Sequence, residues 1–258
     1  MTGRIWAIAR VTMLEAIRMR VLWGLVVLVV GSDLFGLVLG EMSIRDAERV
    51  ARDVGLASAS LWGSLTAIFL GVFLLYTEVQ RRTIHAIVSK PIDRWEFVVG
   101  KYLGMACVLT FAIAIFGGVT LLVGGGVLGG LVRAIVLAWF EILVVAAIAI
   151  FFSSFSTPFL SGIFALAIWV IGRLTPDIEL AAQAGSSVMR AIAGAVLFIV
   201  PDLHLFSPSG RVVNGTAMSV HGDFVDWGYV GMAGLHGVGY IAFLLALACV
   251  FFQRRDFA

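Results

Sequence analysis

From Ile142 to Gly172 the chain carries no charged side chain, and a run of that length dictates the solvent in which the chain can fold. As one straight helix it would overrun the ~30 Å hydrocarbon layer of a bilayer. The segment Ser153-Ser154-Phe155-Ser156-Thr157-Pro158 supplies the break, because proline has no N–H to donate and its ring excludes the preceding helical turn. The run therefore reads as two crossings joined by a tight turn. Hydrophobic residues make up 61% of the 258 and charged ones 13%, so the bilayer and not water is the main solvent for the whole chain.

The expected fold is an all-α membrane protein forming one domain over residues 1–258. Six crossings are placed at about 21–41, 58–77, 102–123, 133–153, 157–174 and 227–252, each near the ~20 residues that a crossing needs. Residues 1–20 read as a helix in the headgroup plane, with Trp6, Met13 and Ile17 on one face and Arg4, Glu15 and Arg18 opposite. Arg4, Arg10, Arg18 and Arg20 are too dispersed for a cleavable signal peptide.

An even number of crossings puts both termini on one side, and basic residues choose which. Four lie in residues 1–20, five in residues 78–101 and two in Arg254-Arg255, eleven of the eighteen Lys and Arg. That flank is expected to be cytoplasmic. The remainder, Arg45, Arg49, Arg52, Arg133, Arg173, Arg190 and Arg211, sit on external segments among acidic residues such as Asp46, Glu48, Asp177 and Asp223.

Residues 175–226 form the largest extramembrane piece. Within it Val188 to Val200 is apolar except for Arg190 and ends at Pro201. That is too short to cross, so the region is predicted to hold external half-helices, re-entrant or interfacial. Cys107 and Cys249 fall in apolar runs and form no disulfide framework. The four histidines lack metal-ligand spacing, and Asp202 with His204 is too sparse to make a site. No phosphate-binding loop exists: Gly100-Lys101 is followed by Tyr102, not Ser or Thr. A net charge of +2 with no basic patch argues against nucleic acid.

The connector from Glu78 to Lys101 is different in kind. It is a charged insert between two apolar runs and holds both lysines of the chain, Lys90 and Lys101, with Arg81, Arg82 and Arg94. Ile84, Ile87, Val88, Ile92 and Trp95 recur at helical spacing, Pro91 divides the piece into two short helices, and Asp93-x-x-Glu96 has the form of a capping box. Such an elbow fits a docking element with apolar anchors and orienting charges. The alternative is that these cations only set topology and meet anionic lipid.

The pattern Glu78-x-x-x-x-Thr83-Ile84-x-x-Ile87-x-Ser89-Lys90-Pro91-Ile92-x-Arg94-Trp95-Glu96-x-x-x-Gly100-Lys101 is similar to the connector between spans two and three in permease subunits of type-2 ABC exporters. It most resembles the sodium-export and nitrous-oxide-reductase-maturation branch, as do the basic N-terminal helix and the closing Arg254-Arg255-Asp256-Phe257. The resemblance implies a coupling helix formed by Glu78, Arg81, Arg82, Thr83, Ile84, Ile87, Lys90, Pro91, Arg94, Trp95 and Glu96, seated on a separate ATP-binding ABC subunit. It also implies a complex of two permeases, as homodimer or heterodimer, in a bacterial inner membrane. ATP and magnesium would belong to the partner, and this chain would be neither an enzyme nor a cofactor carrier.

Two carboxylates lie inside apolar spans, Asp33 in the first and Glu141 in the fourth. Intramembrane acids are costly and invite a pathway role. The structural alternative pairs Asp33 with another helix and Glu141 with Arg133 or Arg173, or leaves either one protonated or wetted by a central cavity. Three functions compete. ATP-driven export leads. Mechanical work on an extracytoplasmic maturation partner comes second, through residues 175–226. A secondary transporter comes last, for want of an internal repeat.

Overall fold

A computed structural model describes residues 2–42, 47–80, 93–123, 128–207, 212–213, 216–217 and 225–254. Its helices are α1 (Thr2–Arg18), α2 (Arg20–Met42), α3 (Ala47–Gln80), α4 (Arg94–Val123), α5 (Leu128–Phe155), α6 (Pro158–Arg173), α7 (Thr175–Ala184), α8 (Ser187–Ile199) and α9 (Trp227–Arg254). A 3₁₀ turn, Leu203–Phe206, follows α8, and Val212–Val213 pairs antiparallel with Thr216–Ala217.

Four described helices are long and apolar enough to cross a membrane, through Arg52–Leu74, Arg94–Leu121, Gly129–Phe155 and Trp227–Phe252. The pair α6 and α7, bent by 63° at Leu174, makes a fifth if it is one span. The chain is a multi-pass membrane protein. Where sequence reading breaks the long apolar run, α5 ends at Phe155 and α6 begins at Pro158, which occupies the first turn where its missing N–H costs nothing.

Helix α5 is the axis of the bundle: every residue from Glu141 to Ile150 is buried. It packs against α3, α4, α6 and α9. Close approach to α3 depends on small residues, since a Cβ added at Gly71 would stand 2.6 Å from the Cβ of Ala149. At the C-terminal end of α5 the rings of Phe151, Phe152 and Phe155 meet Phe164 of α6 and Phe251 of α9 at centroid separations of 5.1–5.9 Å, edge and tilted contacts that favour ring quadrupoles.

Two helices extend beyond their expected limits. The expected crossing at 58–77 lies within a 34-residue α3, which at ~1.5 Å per residue is about 51 Å long. The second short helix expected after Pro91 is not a separate element: the chain enters helix at Arg94 and continues without interruption to Val123. Arg94, Trp95 and Glu96, the last residues of the expected docking segment before its end at Lys101, thus belong to the same helix as a candidate span.

Helix α1 packs along the first turns of α4. Its Ile5, Ile8, Ala9, Thr12 and Glu15 all meet the short stretch Gly100–Gly104. The steps match: Ile5 and Ile8 lie against Gly100, and Ala9 and Thr12 against Gly104, four residues further along both helices. The contact relies on absent side chains: a Cβ at Gly104 would lie 2.5 Å from the Ala9 carbonyl oxygen and 2.7 Å from Thr12 Cβ, and one at Gly100 would lie 2.8 Å from Ile8 Cγ2. Ala9, Thr12 and Ala16 are buried there, a third face beside the apolar and charged ones.

Candidate functional site

Of the residues read as a docking surface, Arg81, Arg82, Thr83, Ile84, Ile87, Lys90 and Pro91 lie outside the described residues. Glu78 falls in the last turn of α3, and its side chain lies outside them as well. The described remainder is the start of α4. Arg94 is exposed, Trp95 half-buried and Glu96 buried. The Asp93 backbone N–H donates to Glu96 Oε2 at 3.4 Å, the arm of a capping box that satisfies a donor ahead of the helix. Glu96 therefore shapes the entry to α4 from inside.

Two further contacts fix that entry. Arg94 Nη1 donates to the carbonyl of Phe252 at 3.3 Å, and the rings of Phe97 and Phe252 stack at 5.6 Å. One turn on, Lys101 Nζ stands 3.4 Å from Glu15 Oε2, with the lysine side chain 2% exposed, and 5.9 Å from the centre of the Phe97 ring. A buried ammonium is tolerable only with such partners. The α1 helix, the exit of the connector and the end of α9 thus meet at one end of the bundle. These are the three segments in which the sequence concentrates its cations.

The second group is inside the bundle. Glu141 of α5 has a side chain 1% exposed, and Arg173, the last residue of α6, donates to it from Nε at 2.9 Å and from Nη2 at 3.1 Å. Trp169 Nε1 donates to Oε1 at 3.2 Å and Ser60 Oγ to Oε2 at 2.8 Å. Arg173 Nη2 also reaches Ser60 Oγ. Both carboxylate oxygens are satisfied by a bidentate guanidinium, the geometry that best offsets desolvation. Of the two partners the sequence leaves open, the structure selects Arg173, while Arg133 Nε donates to its own helix at the Gly129 carbonyl. Asp33 falls within α2, and its side chain lies outside the described residues.

Arg173 is also where the chain turns. Gly172 allows the Pro201 carbonyl to approach, since a Cβ there would be 2.7 Å from that oxygen, and Tyr229 Oη donates to the Leu205 carbonyl at 2.8 Å. Asp202 accepts from the His204 N–H at 3.1 Å as the cap of the 3₁₀ turn, a structural use for that pair. Among the described residues no group of His, Cys, Asp and Glu has the arrangement of a metal site.

The model of the ABC-2 family transporter proteins matches residues 6–257. The chain belongs to that family. It is a membrane permease of the ABC type, and membership implies pairing with an ATP-binding ABC subunit. None of the curated proteins matches the chain. Two contributions to the permease escaped sequence reading. Gly100-x-x-x-Gly104 carries the small-residue spacing of close helix crossings, a signal present but overshadowed by the charges around it. The contact between Arg94 and Phe252 joins residues 158 positions apart and has no local signature.

Proposed function

We propose that this permease is the membrane half of an ATP-driven exporter, with residues 78–101 as the coupling segment seated on a separate ATP-binding subunit. Six crossings are assigned to α2, α3, α4, α5, α6 and α9. The apolar, 23-residue α2 is long enough for the first, and the short α6 is completed at the bend into α7. Both termini are then cytoplasmic and the working unit contains two permeases, with ATP and magnesium held by the partner. The observation that carries the reading is the meeting of three cation-rich segments at one end of the bundle, through Glu15 with Lys101 and Arg94 with Phe252. One shared flank is what a docking face needs, and it agrees with the charge rule.

Force on the connector would enter the bilayer directly, because α4 is unbroken from Arg94. Glu96 and Asp93 keep its first turn formed, while Trp95 stays available to a partner. Glu141, committed to Arg173, Trp169 and Ser60, serves as a structural staple in this reading, which leaves Asp33 as the pathway candidate.

The test is copurification of the full chain with a separate ATP-binding protein, followed by ATP hydrolysis in liposomes. Trp95→Ala and Glu78→Lys are expected to uncouple hydrolysis while the permease remains inserted and dimeric. Unchanged ATPase activity in both variants refutes the docking assignment. A second reading, mechanical work on an extracytoplasmic partner, is favoured by the apolar side chains that α8 exposes, among them Met189, Ile192 and Phe198. Hydrolysis that responds to such a partner and not to any solute would select it.

A further inference from the structure

Helix α1 has an outward groove that neither docking nor transport uses. It encloses about 380 Å³ and is lined by Gly3, Trp6, Ala7, Arg10, Val11 and Leu14. Gly3, Ala7, Arg10 and Leu14 follow one another at helical spacing, so the floor is a single stripe whose first two members are nearly bare backbone. Trp6 stands on one side, 66% exposed, and Val11 on the other, 60% exposed. This stripe lies roughly opposite Ala9, Thr12 and Ala16, which face α4, so the groove points away from the protein.

Its position around the helix is informative. On one flank lie the apolar Trp6, Met13 and Ile17, and on the other Arg4, Glu15 and Arg18. The groove runs along the seam between them, and α1 lies beside Gly100–Gly104, where α4 enters the crossing expected from residue 102, so the seam meets the headgroups there. Arg10 is exposed on that seam. A guanidinium there presents a planar fork to a phosphate, and the indole of Trp6 suits the same interfacial depth.

We propose that this groove is a binding site for an anionic phospholipid, its phosphate held by Arg10 and its glycerol and upper acyl carbons lying over Gly3 and Ala7 between Trp6 and Leu14. Because α1 is seated on Gly100–Gly104 and joined to Lys101 through Glu15, an occupied groove also steadies the first turns of α4. The inference rests on the reading above for the placement of α1 beside the bilayer.

The test needs no nucleotide and no transport assay, so its failure is distinguishable from failure of the exporter reading. The full chain, in whatever assembly it is extracted, is titrated in detergent with phosphatidylglycerol, phosphatidylcholine or inorganic phosphate, and bound lipid is counted by native mass spectrometry alongside the thermal shift. Wild type is expected to bind phosphatidylglycerol in preference to phosphatidylcholine. Arg10→Gln should weaken it about tenfold, the loss of one charged contact. Ala7→Leu, which keeps every charge but fills the floor, should weaken it comparably, whereas Arg18→Gln, outside the groove, should not. Equal losses from Arg10→Gln and Arg18→Gln would reduce the effect to general surface charge and overturn the proposal. So would wild-type affinity in Ala7→Leu, equal binding of phosphatidylcholine, or the same shift from inorganic phosphate.

Discussion

The pair formed by Glu141 and Arg173 predicts an asymmetry between its two halves. The carboxylate is 1% exposed and the guanidinium 31%, so the two respond differently to loss of the other. Arg173→Met strands a buried carboxylate with Ser60 and Trp169 as its remaining donors among the described residues, and an uncompensated charge of that kind costs about 3–5 kcal/mol. Glu141→Leu leaves an arginine that can turn toward water or headgroups and recover hydrogen bonds there, so its cost should fall to about 1.5–3 kcal/mol, the value of one charged hydrogen bond. The double variant removes both charges and fills the site with apolar atoms, which is commonly neutral or stabilising. For a chain of this size the worst single variant should melt roughly 10 °C below wild type. Thermal unfolding of the purified permease, followed by size-exclusion recovery after heating, reads the order directly. If Glu141→Leu proves more damaging than Arg173→Met, or if the double variant is no better than the worse single one, the reasoning about exposure and desolvation is wrong.

Gly104→Leu should lift α1 off α4, because backbone at the Ala9 carbonyl cannot yield; a cost of about 1–3 kcal/mol is expected, together with proteolysis within residues 2–18. Gly118→Leu is the control, with no atom within 4 Å of its added Cβ, and should behave as wild type. Phe252→Ala removes a buried ring stacked on Phe97 and should destabilise by about 3–5 kcal/mol, seen as faster hydrogen exchange in the first turns of α4; unchanged exchange would show that α9 does not brace that end. Tyr229→Phe deletes only the hydroxyl that donates to Leu205, worth about 1 kcal/mol, and should loosen exchange at residues 203–206 without altering the melting of the bundle.

Much of the molecule could be read in advance where one local rule decides. Proline at 158 fixes the start of α6, and the apolar stretch ending at Pro201 marks α8, a helix of 13 residues. The cost of a carboxylate in an apolar span singled out Glu141, but only the fold could choose Arg173 over Arg133, since the nearer candidate lies on the same helix and is used locally by Gly129. The small-residue face of α1 was illegible for another reason. Ala9, Thr12 and Ala16 add little to either side of an amphipathic pattern, and their value appears only when glycines on another helix are brought against them. Likewise the early start of α4 was obscured because its first turns are charged and amphipathic, unlike the rest of that span.

The spacing of Glu141 and Arg173 has a consequence for biogenesis. The carboxylate emerges from the ribosome 32 residues before the only side chain that neutralises it in the described bundle. Handing α5 alone to the lipid would expose that acid at a penalty of about 2.5–3.5 kcal/mol near mid-membrane, so α5 and α6 are expected to leave the translocon together as a hairpin. Nascent chains arrested before Arg173 should remain extractable or crosslinked to the insertion machinery, and those arrested well beyond it should not.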